Sequence, residues 1–133
     1  MGALLEDGEG RILLAQRPKD KPMPFLWEFP GGKIEADETP EEALVRELRE
    51  EIDVIISPST LNPLTFVSMA YSHFHIVLLG YHCLEWVGDP SPQEGQGGLK
   101  WVMPMDLGQY DMPEANRALL AFWQEKERLK NAA

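Results

Sequence analysis

The chain contains very little cysteine, and this scarcity excludes several classes of protein. Cys83 is the only cysteine among 133 residues, so no internal disulfide can form and no cysteine-rich zinc site can be assembled. It lies in the largely apolar stretch YHCLEW. We therefore expect a buried thiol in a protein of the reducing cytoplasm.

Long apolar runs are also missing. No stretch approaches the roughly 18 residues that a transmembrane helix requires, and no secretory signal opens the sequence. The hydrophobic fraction of 44% is nevertheless ordinary for a globular protein, and 133 residues are enough for one hydrophobic core. We expect residues 1–133 to form a single domain without membrane contact.

Positive charge is scarce. Twelve Lys and Arg residues face 22 Asp and Glu residues, which gives a net charge of −10. This balance argues against a nucleic-acid polymer as partner, because such binding relies on basic surface. It leaves room for a small phosphorylated ligand held through a divalent cation, since magnesium prefers carboxylate oxygens.

Acidic residues are concentrated between Gly31 and Val54, where nine of 24 positions are Asp or Glu. Thr39 followed by Pro40, with Glu42 three residues after Thr39, is the pattern of a helix start with a capping box. Apolar residues then recur at helical spacing on one side: Leu44, Val45, Leu48 and Ile52. The sequence predicts a helix from about residue 40 to 52.

Three carboxylates share a second side of this predicted helix. Glu47, Glu50 and Glu51 lie within roughly 100° of one another at 100° per residue. Residues three or four apart have Cβ atoms about 5–6 Å apart, which lets their carboxylates converge on one divalent ion. The alternative is a solvated acidic face paired with Arg46 and Arg49.

The remaining elements predict an α/β fold. A D-G turn at 6–10 predicts a hairpin between the first two strands, and a proline-rich loop follows them. A C-terminal amphipathic helix spans about 112–129, with Leu119, Leu120 and Trp123 on its inner side. Helices packed on a mixed sheet are therefore expected, with strands near 1–5, 11–17, 54–56, 64–71, 75–86 and 100–102. His73, His75 and His82 belong to the sheet and are not expected to bind zinc.

The acidic segment resembles the Nudix box, G-x5-E-x7-R-E-U-x-E-E-x-G-U, in which U is apolar. The matching positions are Gly32, Glu38, Arg46, Glu47, Leu48, Glu50, Glu51 and Val54. Asp53 departs from the pattern, which has glycine there. A left-handed Asp at a helix C-terminus costs about 1 kcal/mol, so we expect lower stability and an intact site.

The resemblance extends over nearly the whole chain. The segments ILLAQRP, LWEFPGGK, EGQ, KWV and MPEAN are similar to the MutT-like branch of the Nudix hydrolase family. This resemblance implies an α/β/α sandwich with a mixed sheet and a catalytic loop–helix–loop. The first strand is short compared with relatives, so it is expected to be either truncated or brief.

The same resemblance implies metal-dependent hydrolysis of a phosphoric anhydride, with Mg²⁺ or Mn²⁺ as cofactor. The implied metal ligands are the Gly31 carbonyl and the carboxylates of Glu47, Glu50 and Glu51. Arg46 is expected to orient Glu47 through a charge-assisted hydrogen bond. Glu94 is a further ligand, a general base or a solvated loop acid, and the base is either Glu47 or Glu94.

Substrate contacts are implied at both ends of the chain. The base would lie between the segment Glu28, Phe29, Pro30 and Gly31 and the residue Asn116, while Arg17 would hold phosphate. Asn116 has the alternative role of capping the last helix. A side-chain amide offers a donor and an acceptor together, which suits the edge of an oxidised guanine.

The favoured function is hydrolysis of 8-oxo-dGTP to 8-oxo-dGMP and pyrophosphate, which removes an oxidised precursor of DNA and protects replication. A pyrophosphohydrolase for CTP or methylated dCTP is the alternative of the same class. A catalytically silent nucleotide-binding module is the alternative of another class. The protein is expected to be a monomer or a homodimer.

Overall fold

Two sheets carry the fold in the computed structural model, which describes residues 1–93 and 97–132. Two α-helices, α1 (Pro40–Ile52) and α2 (Glu114–Ala132), accompany them, with short 3₁₀ turns at Pro58–Thr60 and Pro104–Gln109. The strands within those residues are β1 (Gly2–Leu5), β2 (Ile12–Gln16), β3 (Trp27–Glu28), β4 (Leu61–Ala70), β5 (His75–Cys83) and β6 (Gly98–Val102).

The first sheet is mixed, as the sequence predicted. Its strand order is β1-β5-β4, with β1 parallel to β5 and β4 antiparallel to it. The second sheet has the order β3-β2-β6 and is antiparallel throughout. Every residue of β1 is buried, which fits a strand with both faces covered and explains its continuous apolar sequence.

The predicted hairpin turn between β1 and β2 forms, but the two strands do not pair with each other beyond it. The Asp7 carboxylate accepts hydrogen bonds from the backbone N–H groups of Glu9 and Arg11, and Gly10 has a φ of 80°. Next to the turn, the Asp7 N–H donates to the Arg11 carbonyl at 3.0 Å, and Glu6 forms an isolated antiparallel bridge with Ile12. The turn chemistry is local, whereas parallel pairing with β5 buries β1 more completely and determines its partner.

Two further predictions from the sequence need correction. The stretch 54–56 is not a strand but a single bridge from Ile55 to Val87, with the flanking residues buried. The segment before the glycine pair contains the short strand β3, where a loop was expected. Both segments form brief backbone pairings with residues distant in the chain, so the local sequence pattern could not predict them.

The ends of α1 have the structure that the sequence predicted. The Thr39 hydroxyl accepts from the Glu42 N–H at 3.1 Å, and the Glu42 carboxylate accepts from the Thr39 N–H at 2.9 Å. Asp53 follows the helix with a φ of 59°, in the left-handed region. Its N–H donates to the Arg49 carbonyl. The helix therefore ends at a left-handed position, which is most often occupied by glycine.

Each helix covers one apolar cluster. Leu44, Leu48 and Ile52 of α1 are fully buried with residues of β1, β2 and β5. Burying such side chains contributes about 1.5–3 kcal/mol each. Leu119, Leu120 and Trp123 of α2 pack on the second cluster, as predicted. No helix in the described part of the chain is long and apolar enough to cross a membrane.

Candidate active site on the acidic helix

A glycine pair connects β3 to the loop that precedes α1. The Ala3 N–H donates to the Pro30 carbonyl at 2.8 Å, and the Gly32 N–H donates to the Met1 carbonyl at 3.1 Å. Gly31 lies between these bonds, opposite Gly2. In such an antiparallel bridge the central residue directs its own N–H and C=O away from the partner strand. The Gly31 carbonyl therefore points away from β1.

Glu47 packs against this glycine pair. A Cβ atom built on Gly32 would lie 2.3 Å from a carboxylate oxygen of Glu47, so any side chain at this position would displace the Glu47 carboxylate from where it lies. The Glu47 side chain is 17% exposed. The first Nudix-box glycine and the first acid of the helical triplet are thus in direct contact.

Arg46 joins the acidic residues to one another. Its Nη1 donates to Glu47 at 2.8 Å and to Glu50 at 3.2 Å, so both carboxylates point at one cationic group. Its Nε and Nη2 donate to the two carboxylate oxygens of Glu38 at 2.7 and 2.9 Å. Nη2 also donates to the Lys33 carbonyl at 3.1 Å. Arg46 therefore fixes the loop before α1 onto the helix.

These bonds shift the ionisation of both partners. The hydrogen bonds from Arg46 hold the pKa of Glu38 below its ordinary value, and the bonds to Glu38 and Glu47 raise the pKa of Arg46. Glu38 also accepts from the Glu35 N–H at 2.9 Å. Glu38 thus braces the loop before α1.

The third acid of the triplet lies deeper. Glu51 is 7% exposed, whereas the Glu50 side chain is 50% exposed. The Glu51 carbonyl accepts from the Gln93 N–H at 2.9 Å, which brings the end of the 84–93 segment to the helix. Glu94, the other candidate for the general base, lies outside the described residues.

The donor set fits a hard divalent cation. It consists of oxygen donors only: three carboxylates and the backbone carbonyl of Gly31. Two of the carboxylates, from Glu47 and Glu50, already meet at a single positive group, the Arg46 guanidinium. Within the described residues no three His, Cys, Asp or Glu side chains lie at metal-binding spacing. Ion binding would therefore require these carboxylates to turn, and the exposed Glu50 has the freedom to do so.

Asn116 lies at the start of α2 and is 8% exposed. Its side-chain oxygen accepts from the Phe29 N–H at 3.0 Å, which joins the segment before the glycine pair to α2. A backbone N–H can bond only to the amide oxygen, so this contact fixes the orientation of the amide. In the described residues, nothing accepts a hydrogen bond from its NH₂ group, and the predicted helix-capping role is not seen.

Tyr71 is a neighbour of this region that the sequence did not reveal. Its hydroxyl accepts from the Ala115 N–H at 3.0 Å, and its ring stacks on Phe74 with centroids 5.0 Å apart. The β4–β5 connection thereby reaches the beginning of α2. Tyr71 follows a strand of ordinary composition, so no local motif marks it.

The guanidinium group of Arg17 donates hydrogen bonds to two groups of the protein itself. Its Nη1 donates to Glu28 at 2.9 Å and its Nε donates to the Pro22 carbonyl at 2.7 Å. Burial raises the pKa of Glu28, although Arg17 acts in the opposite direction. Arg17 lines an open cavity of about 570 Å³ together with Lys19, Lys21 and Phe25. The two lysines were not predicted, because the proline-rich loop has no periodic pattern.

His75, His82 and the cysteine have structural partners. His82 contacts Glu6 at 2.7 Å, and His75 contacts Ser68 at 2.6 Å. Cys83 is buried, and burial raises the pKa of its thiol. The prediction of a buried thiol is confirmed.

Comparison with known proteins gives consistent matches. The family model described as NUDIX domain matches residues 1–122. The 8-oxo-dGTP diphosphatase of Escherichia coli K12 is 36% identical over 118 residues, which cover 89% of each chain. The CTP pyrophosphohydrolase of the same strain is 38% identical over 120 residues, 89% of this chain and 85% of that protein. The solution structure of the E. coli ORF135 protein is 33% identical, has a TM-score of 0.84, and covers 99% of this chain and 91% of its own.

Proposed function

The chain belongs to the Nudix family of hydrolases that act on phosphoric anhydrides, and we propose that its substrate is 8-oxo-dGTP. Water would cleave the triphosphate to give 8-oxo-dGMP and pyrophosphate. Nudix hydrolases use divalent metal ions, and we propose Mg²⁺ as the ion, with Mn²⁺ as a substitute. The biological role would be to keep oxidised guanine nucleotides out of DNA synthesis.

The hydrogen bond between Asn116 and Phe29 is the observation that supports an oxidised guanine as the base. Because one lone pair of the Asn116 oxygen is used by the Phe29 N–H, the amide retains its NH₂ donor and a second lone pair. Guanine offers two acceptors, N7 and O6, along this edge. Oxidation at C8 places a hydrogen on N7, so the edge then offers one donor and one acceptor. That pattern matches the remaining donor and acceptor of Asn116.

Glu47, Glu50, Glu51 and the Gly31 carbonyl are the proposed metal ligands. A bound divalent cation would neutralise the phosphate chain and lower the pKa of water. Arg46 holds Glu47 and Glu50 together, and Gly32 leaves Glu47 the space it needs. Glu47 is the proposed base, and Glu94 remains the second candidate. Arg17 would donate to phosphate after leaving Glu28.

The nucleotide preference is tested with a panel of substrates. We expect kcat/KM with Mg²⁺ to be highest for 8-oxo-dGTP in a comparison with dGTP, CTP, dCTP, ADP-ribose and a dinucleoside polyphosphate. The products from 8-oxo-dGTP should be the monophosphate and pyrophosphate. A preference for CTP would support the second candidate function. The similarity of the chain to the CTP pyrophosphohydrolase is the observation that favours this alternative. Equal rates across the panel would rule out a dedicated sanitising enzyme.

The metal site is tested by a pair of substitutions. Glu50→Gln should reduce turnover by more than about tenfold. Loss of a carboxylate would weaken metal binding, and the metal would neutralise the charge of the phosphate chain during phosphoryl transfer. Glu125→Gln is the matched control, since Glu125 is an exposed acid of α2 paired only with Arg128 in the described structure. Activity near wild type in Glu50→Gln would contradict the proposed ligand set. Loss of activity in the control would show that the effect is not local.

A further inference from the structure

One long segment of this acidic chain carries no fixed charge. Residues 55–84 contain no Asp, Glu, Lys or Arg, although the net charge of the chain is −10. The segment includes the whole of β4 and β5. A strand on the surface of an acidic protein would ordinarily carry charged residues, so this composition calls for a reason.

β4 lies at the outer edge of its sheet. The order β1-β5-β4 leaves its far side without a partner strand in residues 1–93 and 97–132. The Tyr71 N–H donates to the Phe74 carbonyl and so points toward β5. Because backbone groups alternate along an antiparallel strand, the N–H and C=O groups of Phe66, Ser68 and Ala70 point outward.

The usual protections of an edge strand are confined to one end of β4. Pro63 and the register shift between Pro63 and Thr65 disturb the first part of the strand. From Thr65 to Ala70 each residue is paired with β5 in regular register, without proline, bulge or charge. An open edge of this kind is a template for a further strand.

One face of the hairpin beside this edge is apolar and exposed. Phe66 is 62% exposed and Val77 is 58% exposed, and they flank the pair of Ser68 and His75. Val67 and Leu78, which point to the other face, pack on the cluster beneath α2. Phe66 and Val77, by contrast, belong to neither apolar cluster of the described chain.

We propose that a second copy of the chain pairs with this edge, β4 against β4, in an antiparallel arrangement about a twofold axis. Such an interface brings a surface patch into contact with itself, so a charged residue near the axis would face a like charge. Two molecules of charge −10 repel over most of their surfaces. The charge-free segment is the part on which they can meet without that repulsion. A basic partner would instead be drawn to the acidic surfaces.

The oligomeric state tests the proposal. Sedimentation equilibrium of the full chain should give twice the 15.1 kDa mass, with dissociation on dilution. Phe66→Glu places like charges near the axis, and Ser68→Pro removes an outward N–H without touching the β5 ladder. Each should raise the dissociation constant about tenfold or more. Met105→Glu is the control, because Met105 is an 82% exposed apolar residue outside the segment, and it should leave the dimer unchanged.

A second measurement needs no variant. Hydrogen exchange at the amides of Phe66, Ser68 and Ala70 should slow as the protein concentration rises, because those groups become bonded in the dimer. A wild-type protein that stays monomeric at every concentration overturns the proposal, whatever else binds the edge. A dimer that neither slows these amides nor responds to the two substitutions overturns it as well. Since Phe66 and Ser68 lie outside the proposed active site, nucleotide hydrolysis is an independent readout.

Discussion

The Glu47 carboxylate lies against the α-carbon of Gly32, so close that an added methyl group would meet its oxygen at 2.3 Å. Arg46, the preceding residue on α1, donates a hydrogen bond to the same carboxylate at 2.8 Å. The loop and the helix therefore position Glu47 jointly. Its location depends on the absence of a side chain at Gly32 as much as on the presence of Arg46.

Gly32→Ala should displace Glu47 and reduce kcat/KM about 100-fold, since a misplacement near 1 Å in an active site costs that much. The thermal midpoint should fall only slightly, because the contact is with the end of a flexible side chain. Steady-state kinetics and thermal unfolding measure the two effects. Gly8→Ala is the control, as nothing lies within 4 Å of its added Cβ, and it should behave as wild type. Full activity in Gly32→Ala would disprove the positioning role.

Asn116→Asp should shift the nucleotide preference while preserving the fold. The carboxylate still accepts from the Phe29 N–H, but the NH₂ donor becomes an acceptor, which suits the amino group of cytosine. The ratio of kcat/KM for 8-oxo-dGTP over CTP should fall about tenfold or more. Asn116→Ala is the comparison, since it leaves the Phe29 N–H unbonded and should lose about 1–3 kcal/mol of stability. An unchanged preference in Asn116→Asp would refute the base-site assignment.

Asp53→Gly should stabilise the protein by up to about 1 kcal/mol, because glycine adopts the left-handed conformation without strain. Asp53 has a φ of 59° and places a negative charge at the C-terminus of α1. Asp53→Asn separates the two causes, since asparagine removes the charge and keeps a side chain. Urea denaturation measures all three proteins. If Asp53→Gly were less stable than wild type, the Asp53 side chain would have to stabilise the folded state by more than its left-handed backbone conformation costs.

Glu28→Gln should make stability less sensitive to pH. Burial raises the folded pKa of Glu28 above its ordinary value of 4.5, so the charged form is less favourable in the folded state than in the unfolded state. Wild-type stability is therefore lost as pH rises from 4.5 through the folded pKa, and this loss should be absent in the variant.

Thermal midpoints of wild type and Glu28→Gln should consequently converge at acidic pH and separate toward neutral pH, with the variant higher. Glu125→Gln serves again as the comparison, because bonding to Arg128 lowers the pKa of Glu125. Its effect should have the opposite sign. A Glu28 variant that is less stable at neutral pH would mean that the Arg17 ion pair outweighs the cost of burial.

The parts of the fold that short-range signals determine were predictable. Thr39, Pro40 and Glu42 mark the start of α1, and the observed helix has the predicted bounds. The pairing of β1 was not predictable, because a strong local turn at Asp7 indicated a hairpin while burial between elements selected β5. In the site, spacing alone grouped Glu47, Glu50 and Glu51. Arg46 orients the side chains of Glu47 and Glu50, and helical geometry alone does not specify that orientation.

Residues in loops were the least predictable. Lys19 and Lys21 follow Arg17 closely in the chain, but no periodic pattern predicts that all three line one cavity. The bond from Phe29 to Asn116 required the packing of α2 on the sheet, which no segment specifies by itself.

That bond also has a consequence for synthesis on the ribosome. Phe29 and Asn116 are 87 positions apart, so at 5–20 residues per second Phe29 is made roughly 4–17 s before its partner. Within that interval the residues of the acidic helix, Pro40–Ile52, are made, but the residue that would complete the proposed base pocket is not. A ribosome-bound chain that ends before α2 should therefore show no selectivity between nucleotides, and recognition of the base would begin only with the final helix.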